Sequence, residues 1–188
     1  TPHVTLLPYP PLFRSRGARF VERAAGFVVL ALLAERAAAT PYHRLVDELV
    51  IGPASLTHTA FLRSDELPGN AALGYLAADG LRTNVLHLPV RGVGDGGIAT
   101  TAADVHRLWQ ALDAGLVVSP DTLAPMTRPH SDDTGSSDAH RYGLGFWLPV
   151  GDGLVEMEGY DAGASFRSTH RAADGLTVSV LSNWSDGA

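Results

Sequence analysis

Lysine and cysteine are both missing from this chain of 188 residues, so its fourteen basic residues are all arginine. Each absence removes chemistry. Without lysine there is no lysine-activated serine, no Schiff base and no phosphate-cradling Gly-Lys-Ser/Thr loop. Without cysteine there are no thiol nucleophiles, thiolate zinc sites or disulfides. Serine, histidine, carboxylates and tyrosine are the reactive groups that remain. The arginine-for-lysine usage itself fits a GC-rich genome.

A hydrophobic content of 45% over 188 residues allows one sizeable core and predicts one domain. A net charge of -6 and a pI near 5.7 argue against nucleic acid as a partner, which would require a concentrated basic face. The one basic cluster, Arg14, Arg16, Arg19 and Arg23, precedes the apolar run Ala24 to Ala34. That order imitates a secretory signal. The late start of the run and the Glu35-Arg36 interruption favour a short core helix instead. The run is too short to span a bilayer, so no membrane span is expected.

Residues 1–24 hold prolines at positions 2, 8, 10 and 11 without periodic pattern and read as an irregular lead-in. The stretch Ala25 to Arg36, apolar on all sides, predicts a helix buried by other layers. Thr40-Pro41 supplies a cap and a first-turn proline for a second helix, Tyr42 to Val50, stopped by Gly52-Pro53. Loops and short elements are expected from Ser55 to Val93, including Ala78-Asp79-Gly80. Thr101-Ala102-Ala103-Asp104 opens a helix with an N-cap threonine and a carboxylate at the positive end of the dipole. Val105, Leu108, Trp109 and Leu112 mark its buried face and Gly115 its end, and Ser119-Pro120-Asp121 starts another helix. Pro129 to Arg141 reads as an exposed polar loop. Four extended segments follow: Tyr142 to Val150, Leu154 to Glu158, Ala164 to His170 and Leu176 to Asn183. Gly151-Asp152-Gly153 and Ala173-Asp174-Gly175 are natural hairpin turns between them. Helices first and an antiparallel meander last make an α+β chain. Both of its ends read as cut.

Four constellations invite a chemical reading. Arg91-Gly92-Val93-Gly94-Asp95-Gly96-Gly97-Ile98 runs into the Thr101 helix, yet no apolar strand feeds it, so close backbone approach explains the glycines better than a nucleotide site. The histidines at 3, 43, 58, 87, 106, 130, 140 and 170 show no metal-ligand spacing and read as surface or loop residues. No metal and no cofactor are expected. Ser168 and His170 lie close in sequence, which alone does not make a triad. Glu156 and Glu158 share a strand face, with Asp161 beyond them. Mutual repulsion would raise one pKa and make an acid/base pair, but a solvated strand face is the simpler reading.

The order of segments resembles the C-terminal part of the serine β-lactamase and penicillin-binding-protein superfamily, in its class C β-lactamase, D-alanyl-D-alanine carboxypeptidase and esterase branch. The resemblance rests on the combination of Ala25 to Leu33, Tyr42 to Val50, Gly96-Gly97-Ile98-Ala99-Thr100-Thr101-Ala102-Ala103-Asp104, Tyr142-Gly143-Leu144-Gly145-Phe146, Glu158-Gly159-Tyr160-Asp161-Ala162-Gly163 and Val178-Ser179-Val180-Leu181-Ser182-Asn183. It spans roughly residues 25 to 183. It implies a β-lactamase/transpeptidase-like α+β partial domain, helical region first and antiparallel strands last. Residues 25–188 are then the C-terminal portion of a serine hydrolase domain whose N-terminal half is missing.

Such enzymes place the nucleophile in Ser-x-x-Lys, a second motif Tyr-x-Asn before the apolar helix, and Lys-Thr-Gly or His-x-Gly on the strand bordering the cleft. This chain departs at all three. It has no lysine. Glu22-Arg23-Ala24 stands at the second position, and Glu158-Gly159-Tyr160 at the third. A reading-frame error or gene decay before Ala25 would account for the lead-in and the second departure together. Only Gly159 and Gly163 match in kind, and the resemblance implies for them backbone approach to a bound acyl group. No catalytic residue is assigned. The parent would take a small-molecule or peptide-like acyl substrate, an amide, β-lactam or ester, and the chain itself is expected to be inactive. The alternatives are a non-enzymatic binding descendant and an unrelated serine–histidine–aspartate hydrolase. The latter needs a serine and a histidine within hydrogen-bond reach.

Overall fold

The computed structural model describes residues 24–77, 82–130, 140–151, 153–185 and 187. The lead-in before Ala24, Ala78-Asp79-Gly80 and most of the Pro129 to Arg141 tract lie outside them. Helix α1 spans Ala24–Ala38 and α2 spans Tyr42–Val46, continued by one π-helical stretch, Asp47–Ile51. After a region of isolated bridges come α3, Ala102–Asp113, and α4, Pro120–Met126. Five strands follow: β1 Arg141–Tyr142, β2 Trp147–Leu148, β3 Val155–Asp161, β4 Ala164–Arg171 and β5 Leu176–Ser182.

The capping chemistry of α3 matches its sequence. Thr101 accepts from the Asp104 N–H at 3.2 Å, and Gly115 ends the helix region at φ +70°. Ser119 likewise accepts from the Thr122 N–H at 3.3 Å to start α4. The α2 start differs. Thr40 donates back to the Ala38 carbonyl, and the free Tyr42 N–H is instead taken by the Glu35 carboxylate at 2.8 Å. A carboxylate from the preceding helix outcompetes the hydroxyl because a charged acceptor makes the stronger bond.

The expectation of a buried α1 is corrected. Only Ala31 is buried, while Val29, Leu30, Leu32 and Leu33 are exposed. One side of the helix rests on the loop at Gly94, where a Cβ would collide with the Phe27 carbonyl and the Ala31 side chain. A small cleft of about 90 Å³, open to solvent, lies between Val28, Ala31, Leu32, Glu35, Tyr42, His43 and Val93. The remaining sides meet no layer among the described residues.

The strands form one antiparallel sheet in the order β1-β2-β3-β4-β5. The predicted extended segment Tyr142 to Val150 is broken in two, because Gly145 at φ +89° turns the chain and pairs Tyr142 with Trp147. Alternation then decides the two faces of β3 to β5. Val155, Met157, Ser168, His170 and Leu181 face α3. Val105, Trp109, Leu112, Phe146 and Leu148 form the buried cluster between helix and sheet, with Leu108, Val117, Leu123 and Met126 around it. Trp109, 3% exposed, stacks on His170 with ring centroids 4.9 Å apart. Burial of this ring alone contributes several kcal/mol, about 25 cal/mol per Å² of apolar surface.

Candidate functional site

The β3–β4 hairpin carries the two glycines predicted for substrate contact. Gly159 lies within β3 between exposed Glu158 and Tyr160, and a Cβ there would come 3.1 Å from the Phe166 ring. Gly163 forms the tight turn at φ +71°. A Cβ on it would meet Gly74, the Tyr75 nitrogen and Asn84 at 2.8 to 2.9 Å, so packing already requires a glycine. Asn84, buried, holds this contact together. Its amide donates to the Ala162 carbonyl at 2.9 Å and its carbonyl accepts from the Gly74 N–H at 3.2 Å. Ser185 closes the other side, accepting from the Gly163 N–H and donating to the Asp161 carbonyl. The hairpin tip is thus clamped by segments from three places in the chain.

Glu156 and Glu158 do share a face, as expected, but they are not equivalent. Glu158 pairs with Arg167 at 2.7 Å near solvent. Glu156 is only 5% exposed, with Arg167 Nε 3.8 Å away. The solvated-face reading is therefore corrected for Glu156, which packs beneath Arg167. Burial pushes its carboxyl up; Arg167 and His140 oppose this and Glu158 adds to it. The site has a carboxyl that holds its proton more readily than an ordinary one, but no hydroxyl nucleophile beside it is among the contacts described.

The glycine-rich segment is filled by its own backbone. Gly92 packs against Gly96 and Gly97 so closely that a Cβ on it would overlap them. The first turn of α3 is capped by Thr101, and Asp104 within that turn is fully buried. Its carboxylate accepts from the His58 N–H at 2.7 Å, Thr59 Oγ1 at 2.8 Å and Arg107 at 2.5 Å. Burial alone would raise its pKa, but these bonds outweigh it and hold the carboxyl below the usual range.

Ser168 and His170 are both buried and both engaged, though not with each other. Ser168 accepts from Trp109 Nε1 at 2.9 Å and shares a 2.7 Å bond with Ser179. His170 contacts Asp113 Oδ2 at 2.9 Å and Thr177 Oγ1 at 2.8 Å. The expectation that every histidine is a surface or loop residue is corrected at His170, which is 4% exposed. Among the hydrogen bonds described, imidazoles meet hydroxyls only at Thr177 and Thr57, and never at a serine. No group of three or more histidines or carboxylates converges for a metal among the described residues.

Asn84 and Asp113 escape sequence reasoning. Their partners, Ala162 and His170, lie 78 and 57 positions away, and neither residue sits in a local motif.

The comparisons with known proteins agree in kind. The family described as Beta-lactamase matches residues 6–188. A putative penicillin-binding protein of Bacillus subtilis is 28% identical over 131 residues, covering 68% of this chain and 31% of its own length. A Mycobacterium tuberculosis protein is 30% identical over 158 residues, covering 77% of this chain and 39% of its own. The crystal structure of a penicillin-binding protein from Bacillus halodurans superposes with a TM-score of 0.84 at 30% identity, over 98% of this chain and 56% of that one. The chain therefore spans well under half the length of the curated relatives it matches. No single helix among its described residues is long and apolar enough to cross a membrane.

Proposed function

Because the chain belongs to the β-lactamase family, we propose that it is the C-terminal part of a serine hydrolase domain, inactive as the chain of residues 1–188. The parent domain would cleave an amide, β-lactam or ester of a small-molecule or peptide-like substrate through an acyl-serine. The carrying observation is a family match over residues 6–188 in a chain without a single lysine. A Ser-x-x-Lys nucleophile is thereby excluded from it. The engagement of Ser168 with Trp109 and Ser179 supports the same reading, since a serine bonded in this way has no base to take its proton.

In the parent, Gly159 and Gly163 would border the acyl group. At Gly159 this is supported by its place between two exposed side chains on β3. At Gly163 the packing against Gly74 and Asn84 is a sufficient reason for glycine, and any ligand role is additional to it.

A fluorophosphonate probe tests the inactivity. The purified chain is expected to remain unlabelled under conditions that label an active serine hydrolase. Stoichiometric labelling of one serine, abolished by changing that serine to alanine, would overturn the reading.

A further inference from the structure

The sequence contains five Asp-Gly steps, at which a side-chain carboxyl and the next main-chain nitrogen meet with no glycine side chain to keep them apart. Two of them lie wholly within the described residues, Asp95-Gly96 and Asp174-Gly175. They are matched in most respects. Both aspartates are exposed and both sit in turns. Each glycine has open space where a Cβ would go, and each glycine N–H donates to a nearby carbonyl, Gly96 to Val93 at 3.2 Å and Gly175 to Arg171 at 3.0 Å.

They differ in what holds the carboxylate. Asp174 is clamped, its Oδ1 accepting from Arg171 Nε at 3.0 Å and the Leu176 N–H at 3.3 Å, its Oδ2 from Arg171 Nη2 at 2.8 Å. The bond from Arg171 also keeps this carboxyl below the usual range, so its neutral form is scarce. Asp95 has no hydrogen bond or ion pair among the described residues. Its carboxyl is therefore free to turn onto the Gly96 nitrogen, and an intramolecular attack depends on reaching that geometry.

We infer that Asp95-Gly96 is a site of spontaneous isomerisation to isoaspartate, from which the Arg171 clamp protects Asp174-Gly175. With the Asp95 carboxyl in its neutral form, the Gly96 nitrogen attacks Cγ. An N–C bond forms, the C–OH bond breaks, and the hydroxyl leaves with the nitrogen's proton as water. Water then opens the succinimide ring at either carbonyl, restoring aspartate or routing the main chain through Cβ. No reagent other than water is needed. The isoaspartate form adds one main-chain atom between Gly94 and Gly96, in a segment that has no room for it. Gly92 packs against Gly96 and Gly97 too closely to admit a Cβ, its carbonyl accepts from His43 Nε2 at 2.7 Å, and Gly94 seats α1. Isomerisation therefore loosens α1 from this loop.

Incubation of the full 188-residue chain in heavy-oxygen water tests this, because each passage through the ring takes one oxygen from solvent. After digestion with trypsin in ordinary water, Asp95 falls in the peptide of residues 92–107 and Asp174 in that of residues 172–188, where fragmentation in the mass spectrometer locates the label. In the folded chain at mildly acidic pH, label at Asp95 is expected to run about tenfold or more ahead of Asp174. The two should converge in urea, where Arg171 no longer holds Asp174. Arg171→Gln should raise labelling at Asp174 in the folded chain, and Asp95→Glu, which keeps the charge but cannot close this ring, should abolish it in residues 92–107. Circular dichroism checks the fold of each variant. An aged wild type, its isoaspartate counted by an isoaspartyl methyltransferase assay, should melt below the equally aged D95E variant relative to their fresh forms. Label at Asp95 no faster than at Asp174 in the folded chain overturns the inference, as does a difference that persists in urea or an Asp174 indifferent to R171Q. Isoaspartate at Asp95 with unchanged melting overturns its stated effect on α1.

Discussion

Asp113 Oδ2 lies 2.9 Å from His170 Nε2, joining the last residue of α3 to the end of β4. A carboxylate at a helix C-terminus faces the negative end of the dipole. The imidazole N–H offsets that cost, and the stacked Trp109 ring shields the bond from solvent on one side.

Replacing Asp113 with alanine leaves a buried ring nitrogen without its partner. Stability is expected to fall by about 1–3 kcal/mol, read as a lower urea midpoint with an unchanged m-value. Asn at this position keeps an acceptor and should recover part of the loss.

Asp104 predicts acid sensitivity. Its carboxyl is held below the usual range in the folded chain, so the stability it confers is present above the unfolded-state pKa. That stability is lost as pH falls through the lowered folded value. Denaturation at a series of acidic pH values should show a shallower decline for Asp104→Asn than for the wild type. The variant should also be less stable at neutral pH, by about 1–3 kcal/mol, because Arg107 and the His58 N–H lose a charged acceptor.

Glu156 has the opposite sign. Burial raises its folded pKa, so the folded chain binds the proton more tightly than the unfolded one. Stability therefore declines as pH climbs from the ordinary carboxylate range through the raised value. Glu156→Gln should remove this part of the decline and leave the chain as stable as the wild type, or more so, at neutral pH. A clear loss at neutral pH would show instead that the pairing with Arg167 outweighs burial.

Gly163→Ala combines a left-handed backbone with overlap against Gly74 and Asn84. The conformation alone costs about 1–2 kcal/mol, and relief of the overlap must move the clamped turn. Thermal melting should fall well below that of Gly175→Ala. That control sits at the same φ, +71°, with open space where its Cβ would go.

Local signals in the sequence located much of the fold. The Thr101 and Ser119 caps, the Gly115 stop and the Asp174-Gly175 turn depend on residues within a few positions of each other, so the sequence pattern contains them. The burial of α1 was misjudged for a physical reason. Periodicity reports what a helix needs to cover, and whether a neighbour covers it is a property of the whole molecule. Glu156 was misjudged in the same way, because alternation separates two strand faces without saying where Arg167 and the β2 strand will pack. The two glycines are picked out in the sequence by the family resemblance alone. Asn84, which fixes one of them, is not, since its partners are assembled only by folding.

The close seating of Ala31 on Gly94 makes α1 depend on main-chain shape and hardly at all on the identity of its outer side chains. Tolerance to substitution along this helix should therefore be sharply uneven. Saturation mutagenesis scored by soluble yield would find Ala31 and Gly94 nearly invariant. Leu30 and Leu33, one residue before Ala31 and two after it but exposed, would accept polar residues freely, and would be restricted again only in a longer polypeptide that covers them.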